Sequence, residues 1–165
     1  MTDLAFSMSS ETKRWERLRC DAYAWRGEML DTFAQVEREV GDTLFAARCV
    51  GPNLRLVGPK YDALAKLVAE GGALATVGNA VRGELAAFRE FDEVRSILCH
   101  GVATILMNEA GDWVASFRML VFGSSVIETK TMYSRAEAQK LRDDLKRRQG
   151  SLCGQLRALR GKIPG

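Results

Sequence analysis

Between Val81 and Leu98 the apolar residues Val81, Leu85, Phe88, Phe91, Val94 and Leu98 follow one another at spacings of 4, 3, 3, 3 and 4. That is the stripe of a core-facing helix, and it predicts one helix from about Leu74 to His100. Gly101 follows at once, where a helix C-cap sits. Beyond it the pattern changes. Val102 to Asn108 is rich in β-formers, and Glu109 to Asp112 reads as a hairpin turn. Trp113 to Phe122 reads as the returning strand, Gly123-Ser124-Ser125 as a second turn and Val126 to Tyr133 as a third strand. A chain that switches periodicity in this way is mostly α with a small β insertion.

The rest of the sequence supplies the other helices. From Ser10 to about Cys49 the residues Trp15, Leu18, Tyr23, Leu30, Phe33, Val36, Val40, Leu44 and Phe45 keep a near-helical spacing. Ser9, Ser10 and Thr12 offer N-cap oxygens, and residues 1–9 read as a flexible tail. Gly27 and Gly41 weaken a continuous rod, so one helix or two meeting near Arg26-Gly27 both fit. Gly51-Pro52-Asn53 ends this region. A second helix is expected after Pro59, with Tyr61, Leu64, Leu67 and Val68 as its stripe and Gly71-Gly72 as its stop. Ser134-Arg135-Ala136-Glu137 forms a capping box. It opens a final helix to about Arg160, with Ala138, Leu141, Leu145, Leu152, Leu156 and Leu159 apolar. The expected architecture is a helical bundle of about four helices with a three-stranded antiparallel β meander, at about 102–133, before the last helix. One domain over 10–165 is expected.

Several classes of chemistry are unsupported. There is no basic segment followed by an apolar one at the start. The longest stretch free of Asp, Glu, Lys and Arg, Ser96 to Asn108, is too short to span a bilayer. A cytoplasmic protein with no membrane partner is expected. Cys20, Cys49, Cys99 and Cys153 form no C-x-x-C pair, and there is one histidine in the chain. No metal and no cofactor are therefore expected, and the thiols read as reduced and mostly buried. G-x-S-x-G, H-E-x-x-H, G-x-x-x-x-G-K-[ST] and G-x-G-x-x-G are all missing. Trp15 and Trp25 read as packing residues, and Trp113 as partly exposed. From Arg135 onward nine basic side chains face three acidic ones. Within that segment Lys146, Arg147 and Arg148 are candidate phosphate or RNA contacts, or a solvated helix face.

The remaining motif is Arg95-Ser96-Ile97-Leu98-Cys99-His100, an arginine and a histidine closing the most amphipathic segment. Cleaving RNA through its 2′-hydroxyl needs a group that moves a proton near neutral pH, and imidazole fits. It also needs a cation on the phosphate, and guanidinium binds that group bidentately. Five residues of helix turn about 500°, so Arg95 and His100 leave an intact helix in different directions. They meet only if His100 swings from a frayed end, or if two chains pair across an axis.

The stretch Phe88 to Gly101, with its Arg-x-x-x-x-His-Gly ending, resembles the HEPN (higher eukaryote and prokaryote nucleotide-binding) superfamily of small helical bundles. The resemblance implies a homodimer. It implies either a metal-independent endoribonuclease of toxin–antitoxin type or a non-catalytic binding or neutralising partner. Arg95 would hold phosphate, His100 would move the proton and Ser96 would orient them. Active members commonly carry Asn, Asp or His after the arginine, whereas this chain has Ser96. The expected function is therefore a non-catalytic binding and dimerisation module for RNA, nucleotide or a partner protein, with the endoribonuclease as the alternative.

Overall fold

The apolar spacing of the first helix explains why it does not break. Leu18, Ala22, Trp25, Met29, Phe33, Val36, Val40 and Leu44 recur every three or four positions, and all are buried. That stripe stays in phase with 3.6 residues per turn. The computed structural model describes residues 2–49, 51–69, 75–122 and 126–163, and the stripe lies on a single helix, α1 (Thr2–Ala46). Of the two arrangements left open by the sequence, the unbroken rod is the one observed. It includes the backbone of residues 2–9, where the sequence suggested a tail. Tyr23 and Phe45 fall out of phase and are exposed.

A 3-10 turn (Pro52–Arg55) leads to α2 (Val57–Ala69), α3 (Ala75–Arg89) and α4 (Asp92–His100). Strands β1 (Val102–Met107), β2 (Trp113–Phe122) and β3 (Val126–Ser134) precede α5 (Arg135–Arg160). The mostly helical fold with a three-stranded meander before the last helix is therefore as expected. Two boundaries differ. Helix α2 starts at Val57, ahead of Pro59, because a proline in the first turn has no helical N–H bond to lose. The single helix expected over 74–100 is two, with a turn at Glu90-Phe91. Three successive steps of three residues each fall about 60° short of a full circle. An unbroken helix would carry the stripe off its face. Asp92 and Glu93 open the new helix, where acidic groups complement the dipole. The expected features at Gly71-Gly72, Leu74 and Gly123-Ser124-Ser125 lie outside the described residues.

The chain divides into two compact units, Met1–Leu30 with Val94–Arg142 and Asp31–Glu93 with Asp143–Gly165. In the first, the antiparallel sheet has the order β1-β2-β3. Its inner face buries Trp113, Ala115 and Phe117. Trp25 of α1 packs there, its ring 5.8 Å from Trp113, 6.3 Å from Phe117 and 5.7 Å from Tyr133. Its indole N–H donates to the Ala138 carbonyl at 2.9 Å, so the buried ring leaves no orphan donor. Trp113, expected to be partly exposed, is buried because it faces this cluster. The β1–β2 turn is held by Asn108, whose Oδ1 accepts the Asp112 N–H at 2.9 Å, and by Gly111 at a φ of 78°. The capping box forms. Ser134 N–H donates to Glu137 Oε2 at 2.8 Å, and Glu137 N–H donates to Ser134 Oγ at 3.3 Å.

In the second unit Phe88 sits among Phe33, Tyr61 and Phe91 at 5.8, 6.4 and 6.4 Å. Leu64, Leu85, Leu145, Leu152 and Leu156 complete the core. Glu39 fastens α5 here. Its carboxylate accepts from Arg157 at 2.7 Å and pairs with Arg160 at 2.6 Å. Burial disfavours that carboxylate, but the two guanidinium groups outweigh it and hold the carboxyl below the usual carboxylate range. At the end of α1, Arg48 takes the left-handed conformation, φ 56°, while Cys49 N–H reaches back to the Leu44 carbonyl at 2.9 Å. That is a Schellman turn with arginine where glycine is favoured.

Two stability predictions follow from these contacts. Arg48→Gly raises stability by about 1 kcal/mol in urea unfolding, because it removes the Cβ penalty of that turn. Glu39 has a depressed folded-state pKa, so its contribution is present above the unfolded value and lost as pH falls below about 4.5. Glu39→Gln lowers stability at pH 7 by about 1–3 kcal/mol. It also flattens the acid limb of a stability–pH curve.

Candidate functional site

Helix α4 carries Arg95, Ser96 and His100 in the first unit. It forms because Ile97 and Leu98 are buried on one side. It ends because a side chain from α1 holds its last carbonyls. Arg26 Nε–H donates to the Leu98 carbonyl at 2.8 Å and Nη2–H to the Gly101 carbonyl at 3.3 Å. The same guanidinium lies 5.6 Å from the centre of the Phe117 ring on β2. It thus meets the negative end of the helix dipole and an aromatic face together. Gly101 is required by proximity. A Cβ there would stand 2.5 Å from the Ile97 carbonyl oxygen and 3.3 Å from Phe117 Cβ.

Helical geometry then sorts the three motif residues. Ser96 and His100 are four apart and share a face. Both line a concavity of about 750 Å³ whose other walls are Val102, Arg118, Met119, Leu120, Val121 and Glu128. His100 is exposed and Ser96 half-buried. The Ser96 hydroxyl lies 3.9 Å from Met119 Sδ. The helix stays regular to its end, with Gly101 N–H on the Ile97 carbonyl at 2.8 Å. Arg95, half-buried, leaves it about 140° from His100 and is not among the lining residues. The guanidinium that shares the concavity with His100 belongs to Arg118. Arg118 Nη1 is 3.9 Å from Glu128 Oε1, with each side chain 59% exposed. So exposed a pair is loose, and solvent screens it. Lys130 is the cross-strand neighbour of Arg118. Arg118 was missed by sequence reasoning, although the Asn108–Asp112 turn sets 118 opposite 102, next to the helix end.

The basic run lies in the second unit. Lys146 and Arg147 are exposed. Arg147 donates to Asp144 at 2.7 Å, and Arg148 faces Glu84 at 3.9 Å. Both arginines thus have carboxylates of their own chain nearby. All four cysteines are free. Cys153 is buried, but Cys20 and Cys99 are exposed, so burial holds for fewer thiols than the sequence suggested. Burial pushes the Cys153 thiol up, and the Glu39 charge adds to this, which suits an inert core thiol. Among the described residues no cluster of His, Cys, Asp and Glu could hold a metal ion, and no helix is long and apolar enough to cross a membrane.

Comparison of the chain with known protein families, with curated proteins and with solved structures gives no match.

The cap of α4 makes one prediction. Gly101→Ala drives a methyl group into the Ile97 carbonyl oxygen, disturbs the helix end and lowers stability by about 1–3 kcal/mol, measured by urea unfolding at neutral pH.

Proposed function

We propose that the chain is a non-catalytic binding module that pairs with a second copy of itself through the outer end of the β2–β3 hairpin. One observation carries this reading. Leu120, Val121, Val126 and Ile127 are 56, 41, 60 and 57% exposed, on both faces of the paired strands. An antiparallel sheet ordinarily turns one apolar face inward and a polar one to water. A cluster of four aliphatic side chains left in water on both sides marks a contact surface. Each that becomes buried contributes up to about 1.5–3 kcal/mol.

A second copy suits this surface because the adjoining charges have both signs. Lys130 of one hairpin complements Glu128 of the other around a two-fold axis. The HEPN-like ending of α4 agrees with a pairing module. Arg95 is not among the described residues that line the His100 concavity, which weighs against a nuclease. A metal-independent endoribonuclease keeps one supporting observation, the exposed His100 beside Ser96 and Arg118.

Sedimentation equilibrium at micromolar concentration is expected to show a dimer. Leu120→Lys with Ile127→Glu is expected to weaken it at least tenfold with an unchanged helical circular dichroism spectrum. A wild-type chain that stays monomeric up to about 1 mM would refute pairing. RNA incubated with the protein and a chelator is expected to stay intact. Cleavage to a cyclic phosphate that His100→Ala abolishes would establish the nuclease instead.

A further inference from the structure

We infer that the concavity at the end of α4 holds a phosphate group, with Arg118 as its cation and His100 and Ser96 as its hydrogen-bond donors. Ser96 and His100 of α4 and Arg118 of β2 all line that space. A guanidinium offers two parallel N–H groups to a phosphate edge, an imidazole one, and a hydroxyl one. A helix C-terminus by itself repels anions, because its last carbonyls carry partial negative charge. Here that objection is removed. Arg26 donates to the Leu98 and Gly101 carbonyls and brings a full positive charge to that helix end.

Glu128 is the one acidic side chain in the lining. It stands 3.9 Å from Arg118 across a water-exposed gap. A phosphate group competes with it for the guanidinium, and the carboxylate turns to solvent. Lys130 on the same face of β3 adds a further positive charge.

The space of about 750 Å³ is larger than a phosphate ion needs, and Val102, Met119, Leu120 and Val121 give it an apolar wall. The ligand class that fits is a phosphate ester with an apolar or planar body, of mononucleotide size. This differs from the Arg95–His100 pairing suggested by the sequence, since Arg118 takes the place of Arg95. It does not rest on self-association, because every residue involved belongs to one chain.

The test uses the fact that His100 is the only histidine. The imidazole carbon–proton signals of the whole chain, recorded at fixed pH, report this site and no other. Inorganic phosphate and adenosine monophosphate are titrated separately, against sodium chloride at matched ionic strength. Both are expected to move the imidazole signals saturably. Tighter binding of the nucleotide identifies an ester as the ligand, and equal binding identifies free phosphate. Arg118→Gln should weaken binding at least fivefold, and Ser96→Ala about threefold. Glu128→Gln should strengthen it, and Arg95→Gln should leave it unchanged. Arg118 is exposed, so its replacement leaves the fold intact, checked by circular dichroism. No saturable shift beyond the chloride control overturns the proposal. So does a loss caused by Arg95→Gln with binding retained in Arg118→Gln. A monomer in the sedimentation experiment leaves this result untouched.

Discussion

The arrangement around His100 depends on one cationic side chain. Every helix ends with carbonyls that have no partner in the helix, and leaving them buried without donors is costly. Arg26 meets one of those carbonyls, that of Leu98, and the Gly101 carbonyl just past the end of α4, and lies against the Phe117 ring. Its neighbour Trp25 turns into the aromatic cluster of the sheet and bonds the Ala138 carbonyl. Two consecutive residues of α1 therefore fix the helix end and the sheet with respect to each other. Gly101 lets the backbone pass Phe117 closely enough for this. Once the end of α4 is held there, Ser96 and His100 face the concavity and Arg95 does not.

The Glu39 and Arg118–Glu128 ion pairs differ in kind, and the difference separates scaffold from site. Glu39 is shielded and answered by two guanidinium groups, which makes it a fastening whose loss would leave buried charge. Arg118 and Glu128 sit in water at a distance where their attraction is small. A group bound that loosely is available to a ligand or a partner. The same distinction applies to the thiols, where Cys153 is sealed into the core and Cys99 lies open beside His100 in sequence.

Much of the fold was legible because it rests on periodicity. The long first helix, the switch to strands after Gly101, the meander and the capping box at Ser134 all carry local signals that the structure keeps. The break at Glu90-Phe91 was written in the same stripe, as three steps of three that no straight helix can hold in phase. It is invisible to a count of apolar matches. Of the site, the motif names Ser96 and His100, but it couples His100 to Arg95. Arg118 was not legible, because its place depends on strand register, which a local pattern does not encode. The sequence offers Arg26-Gly27 as a point where the first helix could break; in the structure Arg26 caps another helix, bonding a carbonyl 72 residues away. The division into two units left no linker in the sequence, since helices α1, α4 and α5 each contribute residues to both.

Amide hydrogen exchange read residue by residue in the Arg26→Ala chain tests most directly whether that clamp positions the site. The Gly101 amide, bonded to the Ile97 carbonyl in the native chain, is expected to exchange at least about tenfold faster in the variant, while α2 amides in the second unit keep their native rates. Unchanged protection at Gly101 would show that the end of α4 is held by something other than Arg26, and that the clamp does not position the site.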